Sequence, residues 1–143
     1  MIRAVRLEKP DLCFFLGDGE SDLVRLQRRF PSLPVNAVRG NCDLRSALPR
    51  AITCAAGGLR IFATHGHLYR VKYDPVFRDL CEAALTENAD VVLFGHTHEP
   101  FRDRLMGMEL LNPGSIGPNT RPSYGLILAN DDRFETEVRF LTR

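Results

Sequence analysis

The chain has 143 residues, a net charge of +1, 44% hydrophobic and 26% charged residues, which suits one domain around a single core. Its arginines are scattered and its charge is near neutral, so nothing calls for a specific nucleic-acid partner. No apolar run approaches the roughly 20 residues that cross a bilayer, and Met1-Ile2-Arg3 leads into a charged amphipathic segment rather than the apolar core of a secretion signal.

Residues 1–9 place Ile2, Val5 and Leu7 between charged neighbours, which fits the last turns of a helix stopped by Pro10. Leu12 to Leu16 is a short apolar strand that runs into Gly17-Asp18-Gly19. From Glu20 to Phe30 the spacing of Leu23, Leu26 and Phe30 predicts an amphipathic helix, capped by Ser21 or Asp22 and ended by Pro31. Arg25, Arg28 and Arg29 form its wet face. Val35 to Arg39 is a second strand, running into Gly40-Asn41-Cys42-Asp43.

Pro49 to Ala55 and Leu59 to Thr64 flank Ala56-Gly57-Gly58, a hairpin signal because glycine tolerates the positive φ of a tight turn. The second of these runs ends in His65-Gly66-His67. Asp74-Pro75 predicts the start of a helix, with Asp as cap and Pro at the first helical position. Val76, Phe77, Leu80, Cys81, Ala84 and Leu85 are its expected buried stripe and Asn88 its end. The apolar run Val91 to Phe94 then feeds Gly95-His96-Thr97-His98-Glu99-Pro100, and strand-helix-strand order predicts a parallel pair. Further on, Met106-Gly107 and Asn130-Asp131-Asp132-Arg133 each sit between β-prone runs, giving two antiparallel hairpins. Ile116 to Pro122 reads as a loop near the site.

Four apolar segments thus end in four polar tips: Asp18, Asn41 with Asp43, His65 with His67, and His96 with His98. The chain has no other histidine. If it stays extended past Gly95, His96 and His98 point the same way. Ligands of open α/β sheets bind outside the carboxyl ends of strands. Carboxylate, amide oxygen and imidazole together make a divalent-metal ligand set, better suited to Mn²⁺, Fe²⁺, Zn²⁺ or Co²⁺ than to Ca²⁺. The four cysteines have no CxxC spacing; Cys13, Cys54 and Cys81 read as core fillers, while Cys42 lies inside a tip. The cytoplasm is the expected compartment.

The order GD, GN, HGH, GHTH and then Asn112-Pro113-Gly114-Ser115 resembles the calcineurin-like metallophosphoesterase superfamily, in particular its YfcE-type phosphodiesterase branch. The resemblance implies an α/β fold, two mixed sheets packed face to face with helices outside, formed by residues 1–143 as a single domain. It also implies metal-dependent hydrolysis of a small phosphodiester by a hydroxide bridging two ions. Asp18 matches the bridging carboxylate; Asn41, His65 and His96 match the ligands completing one metal position, and His98 matches a ligand of the other. His67 and Asp43 are the candidates for direct service to the reaction, His67 at a phosphate oxygen or equally as support for the ligands; Asp43 has the same two readings, with support for the ligands favoured. Cys42 stands where many superfamily members carry an acid-donating histidine.

The superfamily pattern opens with a strand ending in Asp-x-His, and this sequence has no such motif. The expectation is a chain lacking about 25 to 30 residues of the usual βα unit, the first strand included. From that follow one bound ion in place of two, impaired catalysis, and association between copies through the gap. Manganese is the expected metal, with iron, zinc, cobalt or nickel as alternatives. The competing class is a non-catalytic metal-binding or protein-interaction scaffold of the same fold, such as the retromer's sorting subunit in that superfamily.

Overall fold

A computed structural model describes residues 1–117, 121–130 and 133–142. In chain order the elements are α1 (Ile2–Glu8), β1 (Cys13–Phe15), α2 (Glu20–Arg29), β2 (Val35–Ala37), β3 (Ala51–Ala56) and β4 (Leu59–Thr64), followed by a 3-10 turn at His67–Tyr69. Then come α3 (Arg78–Thr86), β5 (Val91–Leu93), β6 (Pro100–Leu105), β7 (Met108–Pro113), β8 (Ser123–Ala129) and β9 (Phe134–Phe140). Five strands form one sheet in the order β3-β4-β5-β7-β6. Its three inner strands are parallel, and each edge strand is the antiparallel arm of a hairpin. Two further pairs, parallel β1-β2 and antiparallel β8-β9, complete the β structure among the described residues.

Alternation along the inner strands explains how the layers stack. Side chains of successive strand residues point to opposite faces, and both faces of this sheet are apolar. Phe62, Val92, Phe94 and Leu110 pack with Phe77, Leu80, Cys81 and Ala84 of the α3 region. Ile61, Ala63, Val91, Leu93 and Leu111 pack instead against Phe14 and Leu16 from β1 and its end, and against Ile127, Phe134 and Val138 from β8 and β9. The central sheet therefore lies between α3 and a second β layer, which meets the expectation of an α/β fold with β structure packed face to face. α1 is fastened to that second layer through Glu8, which accepts from Tyr124 Oη at 2.5 Å and from Arg139 at 2.8 Å.

Both short hairpin turns form as their residues dictate. Gly57 and Gly58 have φ of 57° and 76°, Met106 and Gly107 have 51° and 82°, the paired positive φ that brings twisted strands back on themselves. The third hairpin pairs from Ser123↔Phe140 to Ala129↔Phe134; its turn residues Asp131 and Asp132, like Pro118 to Thr120 of the expected site loop, lie outside the described residues. No helix among the described residues is long and apolar enough to cross a membrane.

Two helix starts differ from expectation. α2 is preceded by Gly19, not capped by Ser21 or Asp22. α3 begins at Arg78, three residues later than Pro75 suggests. Asp74 still caps, but it caps the preceding turn, accepting the N–H of Val76 at 3.1 Å and of Arg78 at 2.7 Å. Phe77 takes a left-handed φ of 52°, a conformation costly for a bulky residue. It is held there because its ring then packs 5.1 Å from Phe94 and 4.9 Å from Phe101. Val76 and Leu85, expected in the buried stripe, are 57% and 45% exposed.

Two measurements test this account. Phe94→Ala removes a fully buried ring from that aromatic cluster, and urea unfolding should register a loss of about 3–5 kcal/mol. The N–H groups of Arg78 and Val76 hold the Asp74 carboxyl below the usual carboxylate range. A depressed folded pKa gives stability that is present above the unfolded value and lost as pH falls. The stability difference between wild type and Asp74→Asn should therefore shrink as pH drops below the ordinary aspartate value of about 3.9; a constant difference across that range would contradict the capping role.

Candidate metal centre

The four polar tips emerge from the C-terminal ends of β1, β2, β4 and β5, as the sequence suggests. The first two are pressed together. A Cβ on Gly17 would lie 2.5 Å from the Gly40 nitrogen, and one on Gly40 would lie 1.9 Å from Asp18 Oδ1. Both positions therefore require glycine, which gives the GD and GN motifs a steric reason. Asp43 locks the crossing. Its carboxylate accepts four backbone N–H groups, from Asp18 at 2.7 Å, Gly19 at 2.9 Å, Glu20 at 3.4 Å and Gly40 at 2.9 Å. It thereby caps α2 from a distant loop, the work expected of Ser21 or Asp22. Burial pushes the Asp43 carboxyl up, but these four N–H groups outweigh it and hold the group below the usual carboxylate range.

Asp18 has a left-handed φ of 60° and accepts the Cys42 N–H at 2.8 Å on Oδ1. Its other oxygen lies 3.3 Å from His65 Nε2. Cys42 is exposed, and all four cysteines are free. The charge of Asp18, then burial, raises the Cys42 thiol, so it is not poised as a thiolate.

His65 is the centre of the cluster and only 2% exposed. Its Nδ1 lies 2.6 Å from the Leu16 carbonyl. A carbonyl can only accept, so Nδ1 carries the proton, and in the neutral ring Nε2 presents a bare lone pair. That lone pair faces Asn41 Oδ1 at 3.0 Å, His96 Nδ1 at 3.2 Å and Asp18 Oδ2 at 3.3 Å. In the neutral ring, electron-rich atoms thus converge with no proton to share between His65 and the two oxygens, an arrangement that a cation among them would relieve. Ligands about 2.1 Å from an ion are about 3.0 to 3.4 Å from each other in octahedral or tetrahedral geometry. The observed separations fall in that range, so the donor set fits a divalent ion. Histidine, cysteine and carboxylate side chains alone make no metal group among the described residues; the fit depends on including the Asn41 amide oxygen and on each donor bordering His65 Nε2.

Burial, then the charge of Lys72, with His65 and His67 adding and Asp18 opposing, pushes the His96 pKa down to about 4, which leaves a neutral imidazole able to offer a lone pair. His67 sits beside the cluster, its ring 5.3 Å from His65 and 6.1 Å from His96. Its Nδ1 is buried with no partner among the described residues. Burial first, then the charge of His65, lowers its pKa, Asp18 opposing and Arg39 and Arg50 adding.

The last tip is not extended. β5 ends at Leu93, and His96 and His98 take left-handed φ of 67° and 63°, so the two are not held on one side as residues i and i+2 of an extended strand would be. His98 is exposed, and no hydrogen bond, ion pair or ring contact among the described residues joins it to the other donors. The residue that shapes this loop is Asn112, which is fully buried. Its Nδ2 donates to the Gly95 carbonyl at 3.0 Å and to Thr97 Oγ1 at 2.9 Å, while its Oδ1 accepts the Gly114 N–H at 3.0 Å. Sequence reading placed Asn112 in a motif without giving it this task; the only signal was a polar residue inside an apolar strand run.

Residues 2–132 match the model of the calcineurin-like phosphoesterase superfamily domain. The chain belongs to that superfamily. It is 35% identical over 134 residues to the probable metallophosphoesterase YsnB of Bacillus subtilis (strain 168), covering 91% of this chain and 74% of YsnB. It is 36% identical over 105 residues to the phosphodiesterase YfcE of Escherichia coli (strain K12), covering 65% of this chain and 52% of YfcE, in keeping with the branch that the motifs resemble. A crystal structure of a predicted phosphoesterase from Streptococcus pneumoniae TIGR4 superposes with a TM-score of 0.78 at 28% identity, covering 97% of this chain and 79% of the other. The superfamily is one of phosphoester hydrolases, and divalent metal ions are its general requirement.

Asn112→Ala should free the GHTH loop. Leaving buried backbone groups unpaired costs about 1–3 kcal/mol, and loosening an outer support of a metal ligand typically lowers affinity about 10–100-fold. Urea unfolding and Mn²⁺ titration of the variant check both figures, and unchanged Mn²⁺ affinity would remove Asn112 from the site.

Proposed function

We propose that this chain is a metal-dependent phosphodiesterase whose ion is held by Asp18, Asn41, His65 and His96, with His98 as an outlying ligand. The observation that carries the reading is the His65 Nε2 lone pair, fixed by the Leu16 carbonyl and facing three further donors. A divalent cation there would neutralise phosphate oxygens and lower the pKa of a coordinated water. Manganese is the first candidate, and neutral imidazoles with oxygen ligands also suit iron, zinc, cobalt or nickel.

The remaining residues have distinct tasks. Asp43 is a positioning residue: it touches four backbone N–H groups rather than substrate, and so fixes where Asp18 and Asn41 stand. His67 is the group free to meet the substrate. With its pKa lowered it is neutral near pH 7, so it donates one N–H to a phosphate oxygen rather than delivering a proton to the leaving group. The Cys42 thiol, raised by Asp18, is no stronger as an acid. Without a good proton donor, departure depends on the leaving oxygen itself, which favours diesters and activated esters over demanding monoesters. A small phosphodiester is the substrate class, and the donors that converge on His65 support one tightly held ion per chain.

Manganese analysis after dialysis should return close to one ion per chain, and Asp18→Asn should lose both that ion and most hydrolysis of bis(p-nitrophenyl) phosphate. Wild-type hydrolysis that survives in Asp18→Asn would sink the assignment; two retained ions would show that His98 recruits a second position of its own.

A further inference from the structure

β1 and β2 present Asp18 and Asn41 beyond their last residues, and a cavity of about 530 Å³ opens at the other end, where the same two strands begin. That volume lies within the roughly 300–1,000 Å³ of small-molecule sites. One wall is the end of α1 and its connection to β1, with Arg6, Lys9 and Asp11. The other is the connection from α2 to β2, with Phe30, Leu33 and Pro34. Backbone bonds form both walls in advance. The Lys9 N–H donates to the Val5 carbonyl at 2.9 Å, that of Phe30 to the Leu26 carbonyl at 2.9 Å, and that of Leu33 to the Phe30 carbonyl at 3.1 Å. The Cys13 N–H, donating to the Pro34 carbonyl at 3.0 Å, ties the two connections together.

The two walls differ in chemistry. Phe30, Leu33 and Pro34 present apolar surface, continued by Val5 and Pro10. Arg6, Lys9 and Asp11 are exposed, and no hydrogen bond or ion pair among the described residues engages their side chains. Charges of both signs therefore line one cavity without neutralising each other. A plain anion would meet Asp11 as well as the two cations, and a plain cation would meet the reverse. A head group that carries a carboxylate and an ammonium on the same carbon answers both signs at once. α2 also ends at this cavity, and the carboxyl end of a helix favours a cation. The apolar wall matches a hydrocarbon body attached to that head.

We propose that this cavity binds a free α-amino acid with an apolar side chain, its carboxylate toward Arg6 and Lys9, its ammonium toward Asp11, and its side chain against Phe30 and Leu33. An exposed ion pair adds little by itself, so the apolar wall supplies most of the affinity and the charges choose the head group. For a ligand of this size that means a Kd on the order of 1 mM. The site is separate from the donor cluster and does not depend on the phosphodiesterase reading.

Amide-resolved NMR of the full 143-residue chain, titrated with L-phenylalanine, tests this; no metal is added, because the amino acid would chelate it. Saturable shifts are expected at the amides of Arg6, Lys9, Asp11 and Leu33, with a Kd on the order of 1 mM. 3-Phenylpropionate lacks the ammonium and phenethylamine lacks the carboxylate, and each should bind about threefold more weakly. Asp11→Asn should bring phenylalanine down to the level of 3-phenylpropionate, and Arg6→Gln/Lys9→Gln to that of phenethylamine. All three residues are exposed, so the rest of each variant's spectrum should match the wild type. The absence of saturable shifts at these amides overturns the proposal, as do shifts centred instead on Asp18, His65 and His96. So does either analogue binding the wild type as tightly as phenylalanine, which would mark the cavity as a site for a plain anion or a plain cation.

Discussion

One hydrogen bond determines what the site can be. His65 stands at the end of β4 in the central sheet, and its Nδ1 meets the carbonyl of Leu16, at the end of β1 in the second layer. The contact joins the two layers at the one place where their polar ends meet. It also decides which ring nitrogen keeps its proton, and hence that the other faces Asn41, Asp18 and His96 as a lone pair. Packing between layers and ligand chemistry are thus set by the same atom. The apolar faces behind them, Phe14 and Leu16 against Ile61, Ala63, Val91 and Leu93, hold the layers at the separation this bond requires.

Around that bond the polar chemistry is almost wholly satisfied by backbone. Asp43 gathers N–H groups from two tips, and Asn112 spans the Gly95 carbonyl, the Thr97 hydroxyl and the Gly114 N–H. Neither residue borders His65 Nε2, yet both decide where the donor atoms stand. Buried polar side chains of this kind are costly when half-satisfied and rigid when complete. The exception is His67, whose buried Nδ1 has no partner among the described residues.

Much of this was legible in the sequence because it is local. Gly57-Gly58 and Met106-Gly107 announce their turns, the apolar runs announce inner strands, and four polar tips after those runs announce a common edge. The motifs also carry the family resemblance that the comparison with known proteins bears out. What was not legible depends on contacts across the chain. Ser21 and Asp22 looked like caps for α2 because the actual acceptor, Asp43, comes from a loop more than one element away. Asp74-Pro75 looked like a helix start because nothing local says that Phe77 turns left-handed to reach Phe94 and Phe101. His96 and His98 would point the same way if the chain stayed extended past Gly95, but it does not, and Asn112 holds the bent loop that bears them.

The position of Asn112 on β7 has a consequence for how the protein matures. The first donor enters the chain at Asp18, and the residue that steadies the last histidine tip arrives only after β6 has been made and has turned back. Contacts so far apart in sequence close late, since the loops between them must first be ordered. Until β7 slides in beside β5, the GHTH segment has no clamp and the lone pairs around His65 lack a partner held in place. A half-made or partly unfolded chain therefore offers no assembled nest for a metal ion. Under the function proposed above, metal occupancy would record that the central sheet has been completed.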